Sequence, residues 1–143
     1  MTAPAPRRAL PDDVPAIAGV INGWIDATDW LPRVHSAAEI EGFIRTAFDL
    51  REIWVVGDPV EGYVSVNPET ARIGALFCRR TGAGLGKALL DAAKAGRDRL
   101  VLHTHDPNHA ARRFYAREGF VETGTHVPEP PDTVLEIVME WQR

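Results

Sequence analysis

The chain has 143 residues, a length that fits one compact domain with a sizeable core and is too short for two ordinary ones. Hydrophobic residues make up 45% and charged residues 25%, globular values that exclude a disordered chain or a fibrous repeat. A formal net charge of −4 argues against nucleic-acid and anionic-membrane partners, because either needs many Lys and Arg to neutralise phosphates. The lone cysteine, Cys78, excludes a disulfide framework and a multi-cysteine zinc site. No apolar run approaches the roughly 20 residues that span a bilayer, and "MTAPAPRRALPDD" lacks the apolar segment of a signal peptide. A cytoplasmic protein with one domain over residues 1–143, its first six a flexible tail, is the expectation.

In chain order, "RRAL" predicts a short strand, and Asp12 or Asp13 a cap for a helix with Ile17, Ile21, Trp24 and Ile25 on one stripe. Pro32 interrupts the pattern, and "SAAE" then offers a capping box from Ser36 to Glu39 before Ile40, Phe43, Ile44, Ala47 and Phe48. "EIWVVGDPVEGYVSV" reads as two strands about a Gly-Asp-Pro turn, and "ARIGALFC" as a third. "TGAGLGKALLDAAK" opens a helix with Leu85, Ala88, Leu89 and Ala92 inward, ending near Gly96 before the strand "RLVLHT". Pro107 and Asn108 begin a last helix and Gly119 ends it, and the strands "FVETGTH" and "TVLEIVMEW" flank the loop "VPEPPD". The order predicts a mixed α/β fold of the α+β type, with a mostly antiparallel sheet and one crossover.

Glycines at 82, 84 and 86 before a helix let backbone N–H groups approach an anion, and the helix dipole adds to the attraction. The segment fails the nucleotide P-loop pattern, with Thr81 where the first glycine belongs and Ala88 after Gly86-Lys87. It also fails the dinucleotide fingerprint, giving G-x-G-x-G where G-x-G-x-x-G is needed. Alone, it is an anion-friendly helix start or a plain turn.

Downstream, "LVLHTHDPNHAARRFYAREGFVETG" resembles the GNAT superfamily of N-acetyltransferases, in which a strand precedes N-x-x-A-x-x-F/L-Y-x-x-x-G-F. Asn108, Ala111, Phe114, Tyr115, Gly119 and Phe120 fall on that pattern. "TGAGLGKALL" is similar to the same family's acyl-CoA loop, Q/R-x-x-G-x-G/A, with Gly84 and Gly86 on the small positions and Thr81 where Gln or Arg is usual. The alternative phase, from Arg79 to Gly82 and Gly84, restores the Arg and misplaces the helix. The stretch from "IGALFC" to "GLG" is also about two residues shorter than usual. The resemblance implies helices on both sheet faces and a splayed central strand pair, with acetyl-CoA as co-substrate. It further implies the pantetheine on the free edge at Leu76, Phe77 and Cys78, and the phosphates at Thr81, Gly82, Ala83, Gly84, Leu85, Gly86 and Lys87. Asn108, Ala111 and Phe114 complete the implied cofactor set, Arg79, Arg80 or Lys87 can add charge, and Tyr115 matches the family's proton donor to the CoA thiolate.

No motif fixes the base. His103 and His105 share one strand face, and His103 is taken as the candidate. His-x-His with Asp106 and His109 hints at a metal, but no tight fourth ligand follows and none is expected. Trp24, Trp30 and His35 are the candidate acceptor residues, with Asp26 and Asp29 for a cation and Glu129 and Asp132 on the opposite wall. The expectation is an acetyltransferase acting on a primary amine of a small molecule or peptide, with homodimerisation open. The alternative is a CoA-binding regulatory module without turnover.

Overall fold

In the computed structural model, which describes residues 4–143, the chain runs β1 (Arg7–Arg8), α1 (Val14–Asp26), α2 (Ala37–Ala47), β2 (Glu52–Val56), β3 (Gly62–Asn67) and β4 (Arg72–Cys78). It continues with α3 (Leu85–Lys94), β5 (Arg99–His105), α4 (His109–Arg117), β6 (Val121–His126) and β7 (Glu136–Gln142). Of the expected flexible tail, residues 1–3 lie outside the described residues and 4–6 lead irregularly into β1. No helix among the described residues is long and apolar enough to cross a membrane.

The strands form one sheet in the order β1-β2-β3-β4-β5-β7-β6. Every pair is antiparallel except β4 with β5, the crossover made through α3. Alternation along the strands divides the apolar residues between two faces. On one face Val56, Val64, Ile73, Leu100, Leu102 and Met139 meet Leu85, Leu89 and Leu90 of α3 and Tyr115 of α4. On the other, Ile53, Val55 and Tyr63 meet Ile17 and Val20 of α1, with Ile44 and Phe77 packed alongside. The helices therefore cover both faces, and the predicted class holds.

Two local expectations change. Asp13 occupies the N-cap of α1 without a side-chain cap bond, because a 3-10 turn over Pro11–Asp13 comes first. Its carboxylate accepts the Leu10 N–H at 2.7 Å and pairs with Arg7 at 2.8 Å. In α3 the buried set is Leu85, Leu89, Leu90 and Ala93, so the helix turns Leu90 inward where Ala88 was expected. The larger leucine removes more apolar area from water. The Ser36–Glu39 capping box forms as expected, the Ser36 hydroxyl accepting the Glu39 N–H at 3.1 Å.

Strand β4 makes only two rungs with β5, Arg72 to Val101 and Ile73 to Leu102. At that point its pairing with β3 slips, Val66 facing Ile73 while Ser65 faces Ala75, so Gly74 is the extra residue of a bulge. A bulge bends its strand and increases the local twist. Beyond Gly74, β4 and β5 therefore part.

Candidate functional site at the parted strands

The opening between β4 and β5 exposes main chain. The Arg79 N–H donates to the Glu61 carbonyl at 2.7 Å, and Phe77 and Cys78 face Tyr63 and Gly62 of β3. Since strand residues alternate, with Arg79 directed to β3, Leu76 and Cys78 turn their N–H and C=O groups into the gap. Two unpaired residues in one strand form an edge that an extended amide-bearing chain can join. Their side chains pack toward α3 and α4, while Phe77 points to the α1 face, 4.8 Å from Trp24 between ring centroids.

The loop after β4 delivers the helix start to the mouth of this gap. Gly82 at φ +79° and Gly84 at φ +76° hold left-handed conformations that a side chain would strain. Gly84 is the N-cap, so α3 begins where the Thr81 phase of the motif requires. The first helical bond runs from the Ala88 N–H to the Gly84 carbonyl, which leaves the amides of Leu85, Gly86 and Lys87 free at the positive end of the dipole. Gly86 has a further role: a Cβ there would lie 3.3 Å from Phe114 Cζ. Thr81 is exposed and Ala83 is half-buried against the core.

The expected phosphate cations are engaged within the protein. Arg80 pairs with Glu61 at 2.8 Å, Lys87 with Asp91 at 3.3 Å and Glu118 at 3.2 Å, and Arg79 Nε donates to the Val60 carbonyl at 3.4 Å. Arg80 and Lys87 keep 55% and 61% exposure, so both can redirect at small cost.

On the opposite side of the gap, Asn108 caps α4, its side-chain oxygen accepting the Ala111 N–H at 3.2 Å. Ala111 and Phe114 pack against the core beneath it. Tyr115 is buried between Phe114 and Phe120, at centroid distances of 5.3 and 5.5 Å. Burial, with a smaller contribution from Cys78, raises its phenol well above the ordinary tyrosine range. The Cys78 thiol is likewise pushed up to about 11, by burial first and Glu61 second. Both groups hold their protons at neutral pH.

On the α1 and α2 side, a cleft of about 190 Å³ meets the parted strands. Phe77 of β4 and His105 of β5 reach it from either side of the gap, Trp24 of α1 and His35 of the α1–α2 loop form a second wall, and Asp132 and Glu136 line the far side. Trp24 stacks on His105 at 6.0 Å, and Trp30 approaches His105 at 5.4 Å from outside the lining. Arg33 fixes the connecting loop by pairing with Asp26 at 2.9 Å and donating to the Asn22 side chain at 2.9 Å and the His35 carbonyl at 3.1 Å. Asp26 is thereby engaged, and neither it nor Asp29 lines the cleft. Of the expected opposite wall, Asp132 is present and Glu129 is not.

The two strand histidines part company. His103 bonds Glu136 at 3.3 Å, packs 4.8 Å from the ring of His126 and stays outside the cleft lining. His105 lines it, and burial lowers its pKa against the opposing pull of Glu136 and Asp132. Sequence spacing shows that both share a face but not where the cleft ends along it. Glu136 was missed as well: it sits at the first rung of β7, opposite both His105 and His126.

An acetyltransferase (GNAT) domain model matches residues 49–122, just over half the chain. A mycothiol acetyltransferase of Salinispora tropica is 32% identical over 115 residues, covering 73% of this chain and 32% of its own length. Its counterpart in Salinispora arenicola is 31% identical over the same span, so the chain covers about a third of the curated relatives it matches. Among solved structures, apo-form YjaB of Escherichia coli superposes with a TM-score of 0.77 at 22% identity, covering 96% of each chain. YncA of Salmonella typhimurium, solved with its cofactor acetyl-CoA, superposes at 0.72 with 19% identity over 99% of this chain and 94% of its own. The glycine loop, the β4 and β5 opening and Tyr115 all lie inside the matched segment, and the chain belongs to the GNAT acetyltransferase family.

Proposed function

We propose that this chain transfers the acetyl group of acetyl-CoA directly to a primary amine, in a ternary complex assembled at the β4 and β5 opening. The observation that carries this reading is the abrupt end of the β4–β5 ladder after Ile73, with an acceptor-sized cleft on one face and Tyr115 buried on the other. Acetyl-CoA supplies an activated thioester. The main chain of Leu76 and Cys78 binds its pantetheine arm as an added strand, and the free amides of Leu85, Gly86 and Lys87 receive the pyrophosphate. Gly82 and Gly84 shape the approach, and Arg79, Arg80 and Lys87 supply charge at its rim.

The acceptor enters past Trp24, His35 and Phe77. An amine must lose a proton to attack, and His105 is the group placed to take it, since its lowered pKa keeps the imidazole neutral at pH 7. Asp132 and Glu136 favour a cationic acceptor at the mouth, and the aromatic rings receive its apolar part. Attack on the thioester carbonyl forms the C–N bond, and collapse breaks the C–S bond and expels the CoA thiolate, which takes the proton of Tyr115; the tyrosinate regains a proton from the acylated nitrogen, and the proton held by His105 passes to solvent. The raised phenol pKa does not defeat this transfer, because the desolvation that raises it also makes the departing thiolate more basic.

Tyr115→Phe tests the reading. The variant should lose roughly 10²-fold in kcat while its CoA affinity changes little, as expected for a proton donor used after binding. If the wild-type chain binds CoA yet releases no thiol with polyamines, aminoglycosides, amino acids or peptide N-termini, the non-catalytic CoA-binding module replaces it.

A further inference from the structure

Beside the cleft, strands β5, β7 and β6 bring His103, Glu136 and His126 onto one patch of the sheet, with only Glu136 also lining the cleft. The Glu136 carboxylate receives both imidazoles on the same oxygen, His103 Nδ1 at 3.3 Å and His126 Nδ1 at 2.8 Å. One potential ligand atom from each of the three lies within 4.8 Å of the others. The side chains are 15%, 21% and 46% exposed in the order His103, Glu136, His126, so a solute reaches the cluster from the β6 side.

We propose that His103, His126 and Glu136 form a divalent-metal site of the zinc class, which shares Glu136 with the edge of the cleft and takes neither His105 nor Tyr115. Two imidazoles and a carboxylate are a three-ligand set that zinc takes with water in the fourth position. With bonds of about 2.0–2.1 Å, tetrahedral ligand atoms stand roughly 3.3 Å apart. The 3.3 Å His103 contact already has that spacing, and the 2.8 Å His126 contact needs only a small opening at the exposed residue. In the metal-free arrangement a proton occupies each Nδ1–Oε1 line. The metal ion takes the place of those protons at Nδ1, and each neutral ring carries its one proton on Nε2 in the bound form. Glu136 and His126 share one rung and His103 stands two residues along the same ladder, so the sheet fixes the donor backbones and little ordering remains when an ion binds. Arg72, whose charge reaches His103, opposes a cation there.

The test is titration of chelator-treated, untagged full chain with Zn²⁺ by calorimetry and with Co²⁺ by visible absorption. One equivalent of Zn²⁺ should bind, and Co²⁺ should give the intense visible bands of a tetrahedral ion. His126→Ala and Glu136→Gln should each weaken binding at least about tenfold, while His109→Ala leaves it unchanged. His126 lies exposed on the sheet edge, so its removal leaves the core intact. Absence of saturable Zn²⁺ binding, a weak octahedral-type Co²⁺ spectrum, or affinity that survives both His126→Ala and Glu136→Gln overturns the assignment. All of these readouts are independent of acetyl transfer.

Discussion

Gly86 on α3 lies directly against the ring of Phe114 on α4, where an added Cβ would approach Cζ to 3.3 Å. This glycine in the first turn of α3 thus also sets how closely the two helices flanking the gap approach each other. Gly86→Ala should be nearly neutral in stability, since alanine's helix preference of about 1 kcal/mol offsets a squeeze of a few tenths of an ångström. Gly86→Leu cannot fit without moving Phe114 and should cost about 1–3 kcal/mol. Thermal melts of the two variants check this. Equal loss in both would show that the contact is not limiting.

His105 lies at the cleft and His103 does not, so their substitutions should separate. His105→Gln is expected to lower kcat/KM for the amine about 10²-fold at pH 7. The deficit should shrink as the pH approaches the acceptor's own pKa, because an amine that is already neutral needs no base. A deficit of the same size at every pH would show that His105 positions the acceptor and takes no proton.

Cys78 stands at the end of the open edge, with its thiol raised to about 11. At pH 7.5 it should alkylate with iodoacetamide roughly 10²-fold more slowly than a free cysteine of pKa about 8.5, because the thiolate is the reacting form. The rate should climb tenfold per pH unit up to about pH 11. Mass spectrometry of the intact chain over time reads it directly. Rapid labelling at pH 7 would show an ionised, accessible thiol and contradict the buried, protonated state.

Much of the scaffold is legible in the residues because the signals are local. The Ser36–Glu39 box, the Gly84 helix start, the Asn108 cap and the strand alternation each depend on neighbours within a few positions, and each forms. The acceptor side is less legible. Trp24 and His35 reach the cleft, Trp30 supports it from behind His105, and Asp26 is taken by Arg33. That last pairing joins residues seven positions apart across a proline-broken loop, which no helix or strand period anticipates.

By itself the sequence determined the order of elements, the glycine helix start and the asparagine-to-tyrosine stretch that carries the family resemblance. Tertiary structure decided where the sheet opens, through one extra residue at Gly74 in the pairing of β3 with β4. It also decided that His105 faces the cleft while His103 joins Glu136 and His126, because strand register across β5, β7 and β6 sets those contacts. Register is fixed by burying the opposite face of each strand, a property of the whole sheet and not of any one segment.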